Sequence, residues 1–118
     1  MNEGHPINIF VDLVRENHKE GMKVCEIGAW MGATTKAYLP IVRENRGRVT
    51  VIDHFRGNYL ARGGEVGAFV GKEGSEEVYK IFCDNVRSYL DMIDIYRRKS
   101  TKVAKLIPEK SLDICFID

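Results

Sequence analysis

Hydrophobic positions along the chain follow helical spacing in some segments and strand-like spacing in others. Apolar residues recur every three or four positions in three segments, which predicts amphipathic helices over residues 6–17, 33–45 and 76–91. Short apolar runs predict four strands, over residues 24–27, 48–53, 92–96 and 112–117. A short further helix is expected at residues 101–107, with Ser100 as its cap.

This order of elements predicts the fold. Strands that alternate with helices, joined by right-handed crossovers, give a parallel sheet with helices on both faces. The expected architecture is therefore a Rossmann-like three-layer α/β/α domain with about four parallel strands. Two details concern the helices. Pro40 should kink or divide the second helix, and Ser75 should cap the third.

Composition narrows the class of protein. The chain has 118 residues, of which 44% are hydrophobic, so residues 1–118 are expected to form one domain. The net charge is +1 with interspersed signs, which gives no sign of a nucleic-acid-binding surface. No apolar run is long enough to span a bilayer, and no signal peptide is recognisable. Cysteines at 25, 83 and 115 have no zinc spacing, so we expect buried, reduced thiols in a cytoplasmic protein.

The segment KVCEIGAWMGATT, residues 23–35, has the pattern of a buried strand, a glycine turn and the start of a helix. A second strand follows and ends in Asp53. In α/β folds this unit binds nucleotide-like cofactors, because glycines let the backbone approach the ligand and the acid accepts ribose hydroxyls. The turn has G-x-x-x-G in place of the dinucleotide fingerprint G-x-G-x-x-G. An NAD(P)-binding oxidoreductase fragment is therefore a disfavoured alternative.

Three segments together resemble one family. CEIGAWMGATT resembles motif I of class I S-adenosylmethionine (SAM)-dependent methyltransferases, VTVID resembles their second strand, and SLDICFID resembles their fourth. The most similar subgroup is the small-molecule O-methyltransferases of the catechol type. The resemblance covers residues 22–118 and implies strand order 3-2-1-4 and SAM as cofactor. It also implies that this chain corresponds to the amino-terminal half of such enzymes.

The resemblance implies roles for individual residues. The glycines would allow close approach of the methionine part of SAM. Residues in the turn and at the start of the helix would contact its amino-acid group, and residues at the strand ends would contact its adenosine. The implied cofactor-binding residues are Glu26, Gly28, Trp30, Gly32, Thr34, Asp53, His54, Lys99 and Ser100. Simpler interpretations stay open: Trp30 as a core aromatic, His54 as a structural residue, and Asp53 as a solvated strand-end acid.

Asp118 corresponds by resemblance to a strand-end acid that ligates Mg²⁺ in catechol-type enzymes, where the metal orients and activates a substrate hydroxyl. Asp118 is thus the candidate catalytic and metal-binding residue. The other ligands of such a site come later in those enzymes, so we expect no complete metal site and little methyl transfer by this chain alone. The alternative function is a non-catalytic module that binds SAM or S-adenosylhomocysteine (SAH).

Two further expectations concern the surface. Residues 54–74 are rich in glycine and predict either a mobile cover over the cofactor or a disordered connection. In strand order 3-2-1-4, the apolar strand 112–117 lies at a sheet edge, and an uncovered apolar edge favours pairing with another chain. The edge therefore predicts a second copy of the chain as a partner, with a homodimer as the simplest assembly. The alternative is that residues 57–74 or the first helix fold over the edge and leave a monomer. The family resemblance also implies a small-molecule acceptor.

Overall fold

A computed structural model describes residues 6–56, 72–98 and 112–117 of the chain. The helices are α1 (Pro6–Glu16), α2 (Ala33–Glu44) and α3 (Lys72–Asn85), and a 3₁₀ helix follows at Arg87–Met92. The strands are β1 (Lys23–Ile27), β2 (Arg48–Ile52), β3 (Ile93–Tyr96) and β4 (Ile114–Ile117). Among these described helices, none has both the length and the apolar character that crossing a membrane requires.

The four strands form one parallel sheet in the order β3-β2-β1-β4. This confirms the predicted sheet and its strand order. Val24 of β1 is paired with Val49 of β2 on one side and with Ile114 of β4 on the other. The carboxyl ends of β1 and β2 therefore lie side by side, because Ile27 and Ile52 are also register partners.

The main hydrophobic core lies between the sheet and the three described helices. Alternate strand residues face the helices, and α1, α2 and α3 contribute the opposing side chains, among them Val14, Leu39 and Phe82. A smaller cluster on the other face is built on Cys25 and Ile52. The helix predicted at 101–107 lies outside the described residues. The layer on one face of the sheet is therefore confirmed, and the layer on the other stays a prediction.

The third helix differs from the prediction at both ends. It begins at Lys72, so Ser75 lies inside the helix and not at its cap. The Ser75 hydroxyl instead donates a hydrogen bond to the His54 carbonyl oxygen at 2.9 Å. The helix ends at Asn85 and the chain continues as the 3₁₀ helix. Apolar spacing alone cannot separate these two helical forms, since both place apolar residues about three positions apart.

Pro40 does not divide α2, which is continuous from Ala33 to Glu44. Proline removes the amide that would bond to the carbonyl of Lys36, one turn earlier. Lys36 and Pro40 are both exposed, so water can solvate that carbonyl. Of the two outcomes predicted for Pro40, division of the helix does not occur, and a kink stays a prediction.

Asp113 fastens the start of β4 to β1. Its Oδ2 accepts the Lys23 amide at 2.8 Å, and its own amide donates to the Lys23 carbonyl at 2.8 Å. Lys19 Nζ lies 2.9 Å from Asp113 Oδ1. The hydrogen bond from Lys19, followed by that from the Lys23 amide, lowers the pKa of Asp113. The carboxylate thus stays ionised and keeps the edge strand in register.

Candidate functional site

The turn after β1 passes directly over the end of β2. The Gly28 amide donates to the Ile52 carbonyl at 2.9 Å, which joins the first residue of the turn to the last residue of the neighbouring strand. The turn is made by left-handed backbone at Gly28 (φ 91°), Trp30 (φ 52°) and Gly32 (φ 90°). Glycine adopts these angles readily, whereas at Trp30 they cost roughly 1–2 kcal/mol and require compensation from nearby contacts.

Asp53 supplies that compensation. Its Oδ2 accepts the Trp30 amide at 2.6 Å, and its Oδ1 accepts the Phe55 amide at 2.7 Å. Phe55 is also left-handed, with φ 62°. The carboxylate therefore bridges the two loops that follow β1 and β2 and stabilises an unfavourable backbone conformation in each. Only 8% of its side chain is exposed, which strengthens these charge-assisted hydrogen bonds.

His54 lies beside this bridge. Its Nδ1 accepts the Arg56 amide at 3.0 Å, so the neutral ring carries its proton on Nε2. Nδ1 is 3.8 Å from Asp53 Oδ1, and 35% of the His54 side chain is exposed. The imidazole is therefore partly accessible at the rim of the sheet, next to the Asp53 carboxylate.

Glu26 is fully buried on the helix-facing side of β1. Its Oε1 accepts the Thr35 hydroxyl at 2.6 Å and the Tyr38 hydroxyl at 2.8 Å. Burial, followed by the charge of Glu26, raises the pKa of Tyr38 well above its usual value, so this phenol stays a donor. Glu26 therefore connects α2 to β1 beneath the turn. Its predicted contact with the cofactor stays a prediction.

The turn is also supported from α3. A Cβ atom added at Gly32 would lie 2.9 Å from Phe82 Cδ1, so this glycine accommodates the phenylalanine ring. The Asn85 side-chain amide donates to the Met31 carbonyl at 2.7 Å. Phe82 also packs against Phe55, with ring centroids 5.4 Å apart. Packing against α3 and a hydrogen bond from it thus support the turn.

The predicted site residues divide into three groups. One group is Glu26 alone, which is buried beneath the turn. The structure brings most of them together in the two loops and the first turn of α2: Gly28, Trp30, Gly32, Thr34, Asp53 and His54. Trp30 is half-buried and packs against the main core, and Thr34 is buried. Lys99, Ser100 and Asp118 lie outside the described residues, as does most of the cover predicted at 54–74. No cluster of three or more metal-ligating side chains occurs in the described segments.

Sequence reasoning missed the residues that support the site. They are the two hydroxyl partners of Glu26 and the three side chains that brace the loops: Thr35, Tyr38, Phe55, Phe82 and Asn85. A signal existed for the first two. Hydroxyl residues one helical turn apart, just after a strand with a buried acid, can reach that acid together. No comparable local pattern identifies Phe55, Phe82 or Asn85, which act through tertiary contacts.

Solved structures of methyltransferases share the fold. An SAH-bound methyltransferase from Podospora anserina, PaMTH1, has 12% identity and a TM-score of 0.63, over 95% of this chain and 39% of that chain. A putative rRNA methylase from Clostridium thermocellum has 16% identity and a TM-score of 0.58, over 86% and 45%. A protein-L-isoaspartate O-methyltransferase has 18% identity and a TM-score of 0.53, over 94% and 27%. This chain thus spans less than half the length of each.

Sequence comparison gives the family. No curated protein sequence matches the chain significantly. The model of a family described as methyltransferase domain matches residues 25–118, which include the glycine turn, Asp53 and β4. The match covers most of the chain and agrees with the fold. The chain belongs to this methyltransferase domain family.

Proposed function

We propose that this chain is the cofactor-binding part of a SAM-dependent methyltransferase that methylates a hydroxyl group of a small molecule. The observation that carries the proposal is the hydrogen bond from the Trp30 amide to Asp53. It joins the glycine turn and the strand-end acid into one preformed edge, at the position where α/β folds bind nucleotide-like ligands.

The residues at this edge suit a ligand with ribose hydroxyls. A carboxylate has about four acceptor positions, and two of those on Asp53 receive the Trp30 and Phe55 amides. In this proposal the remaining positions accept ribose hydroxyls. Gly28 has no side chain to obstruct a ligand above the turn, and the partly exposed His54 ring offers a flat surface for an adenosine group. SAM, when bound, would supply the reactive methyl group.

In this proposal the protein acts mainly by orientation. Methyl transfer from a sulfonium to an oxygen needs the acceptor in line with the breaking bond, and proximity alone can contribute much of the rate. The bridged loops would fix the adenosine end of the cofactor and thereby the direction of its methyl group. A methyltransferase that shares this architecture binds SAH, which supports this use of the fold.

Calorimetry distinguishes the proposal from the oxidoreductase alternative. Titration with SAH, SAM and NAD should give saturable heats for SAH and SAM and none for NAD. The missing dinucleotide fingerprint motivates the NAD arm. Tighter binding of NAD than of SAH would contradict the assignment.

A non-catalytic SAM- or SAH-binding module is the second candidate. Its support is that the residues fixed most firmly, Asp53 and the turn, serve cofactor binding and not acceptor chemistry. Transfer of labelled methyl groups from SAM to a panel of catechols, with and without Mg²⁺, tests whether the isolated chain is itself catalytic. Cofactor binding without transfer by the isolated chain is the expected result. Transfer that depends on Mg²⁺ and Asp118 would favour a catechol-type enzyme.

A further inference from the structure

Two thiols lie side by side on the sheet face opposite the helices. Cys25 of β1 and Cys115 of β4 are direct register partners in the parallel pair. Because strand side chains alternate between faces, paired residues project to the same side, and Cys25 belongs to the small cluster with Ile52. Neighbouring strands are about 4.8 Å apart, which falls within the roughly 4.4–6.8 Å that disulfides span between Cα atoms.

The two thiols have different environments. Cys25 is buried, whereas Cys115 is exposed, which corrects the expectation that both are buried. Burial, followed by the charge and hydrogen bonding of Cys115, raises the pKa of Cys25 to about 12. The exposed sulfur of Cys115 is therefore the one that an external reagent meets first. Cys25 is the neighbouring thiol that can complete a second step.

We propose that Cys25 and Cys115 form a reversible redox site, which low-molecular-weight disulfides such as oxidised glutathione convert to a crosslink between β1 and β4. Cys115 loses its proton and attacks one sulfur of the oxidant, which releases one small thiol and leaves a mixed disulfide on Cys115. Cys25 then loses its proton as it attacks the Cys115 sulfur and displaces the second small thiol. Two protein thiols are oxidised, and one external disulfide is reduced to two thiols that take up the protons.

The crosslink would fix the edge of the sheet. In the reduced chain β4 is joined to β1 by ladder hydrogen bonds and by the contacts of Asp113. In the oxidised chain it could no longer separate from the strand that leads into the Gly28 turn. Glu26 and its partners lie on the opposite face, so the redox site is distinct from the proposed cofactor site. The inference does not depend on the proposed function.

The test uses the Cys83→Ser chain, which removes the remaining thiol, a half-buried side chain on α3. It is equilibrated with mixtures of reduced and oxidised glutathione, and the products are identified by peptide mass mapping. The expected product is an intramolecular Cys25–Cys115 disulfide that dithiothreitol reverses. The effective concentration of the two thiols for each other should be at least about tenfold higher in the folded chain than in urea, because folding holds the strands in register.

Cys115→Ser in the same background is the control, since it changes an exposed position and leaves the buried Cys25 intact. It should form neither the crosslink nor a stable mixed disulfide. Three results would overturn the proposal. They are a lasting glutathione adduct on Cys115 with Cys25 still reduced, a disulfide between two copies of the chain, and an effective concentration no higher in the folded chain than in urea.

Discussion

Asp53 is the residue on which the geometry of the candidate site depends most. One carboxylate accepts amides from both loops and stabilises a left-handed residue in each. Glu26 has the corresponding structural role one layer deeper, where its Oε1 accepts two hydroxyls from α2. Both acids were candidate ligands on sequence grounds. In the structure each carboxylate already accepts hydrogen bonds from the protein, and a ligand would have to bind alongside these partners.

Replacing Asp53 with Asn tests this supporting role. An amide offers one acceptor oxygen, and its NH₂ group would face a backbone donor, so one of the two amide contacts must be lost. We expect SAH binding to weaken by roughly 1–3 kcal/mol, because a buried donor is left unsatisfied. The emission of Trp30, the one tryptophan of the chain, should also shift in the ligand-free protein.

The matched control is Asp94→Asn, which breaks an exposed ion pair with Arg48 at the 2.9 Å contact. Exposed pairs contribute little, so its binding and emission should match those of the parent. If Asp53→Asn kept the SAH affinity and the emission of the parent, the contacts of Asp53 with the two loops would not contribute to binding.

Tyr38→Phe tests the Glu26 connection between α2 and β1. The substitution removes a hydroxyl that donates to a buried carboxylate at 2.8 Å and leaves the ring in place. We expect the free energy of unfolding in urea to fall by roughly 1–3 kcal/mol. The control is Tyr89→Phe, which should change stability little. The Tyr89 ring is half-buried and lies 4.7 Å from the Arg43 guanidinium. Equal effects of the two changes would argue against the connection.

At the scale of elements, the turn between β1 and α2 is fixed by its neighbours. Gly32, the residue before α2, has a left-handed conformation, and Phe82 of α3 fills the space that a side chain would need. Phe55, in the loop after β2, packs against both Phe82 and Tyr79. The position of the turn therefore depends on the docking of α3.

Gly32→Ala measures this close approach. The new methyl group meets both an unfavourable φ and the Phe82 ring. Gly21→Ala is the matched control, because Gly21 has φ +70° but nothing within 4 Å of a Cβ. We expect Gly32→Ala to destabilise the chain by about 1–3 kcal/mol more than Gly21→Ala, the usual cost of overpacking. Equal losses in urea unfolding would mean that the ring moves aside freely.

The sequence was sufficient to predict the helices and strands and their order, but it predicted their end residues less accurately. Apolar periodicity located the three described helices and all four strands, and the alternation of helix and strand predicted the parallel sheet. The start of α3 was missed, because tertiary contacts near it, such as that of Ser75 with His54, leave no local pattern in the sequence. The change to a 3₁₀ helix was missed, because both helical forms place apolar residues about three positions apart. The backbone contacts of Asp53 were also unpredictable, since they require left-handed angles at Trp30 and Phe55.

At the scale of the whole molecule, the two faces and the edges of the sheet differ. The described helices cover one face, and β4 forms one edge. Ile117 at the end of β4 has 75% of its surface exposed. An apolar strand at an open edge can pair with another chain. A second copy of the chain is therefore a candidate occupant of this edge.

We predict that the 118-residue chain self-associates through β4. Sedimentation equilibrium should detect a dimer or larger assembly, and Ile117→Lys should reduce it, because a charge would be placed at the pairing edge. Ile9→Lys, at a 52% exposed isoleucine on α1, is the matched control and should leave association unchanged. A parent chain that is monomeric at high micromolar concentration would contradict the prediction.

Titration of Trp30 fluorescence with SAH tests the proposed cofactor site most directly. Trp30 is the one tryptophan of the chain and lies in the turn, with its amide bonded to Asp53, so its emission reports on the proposed site itself. We predict a saturable change in emission with SAH that is weakened in Asp53→Asn and absent with NAD. A folded chain whose emission does not respond to SAH, or whose emission saturates with NAD in its place, would contradict the assignment.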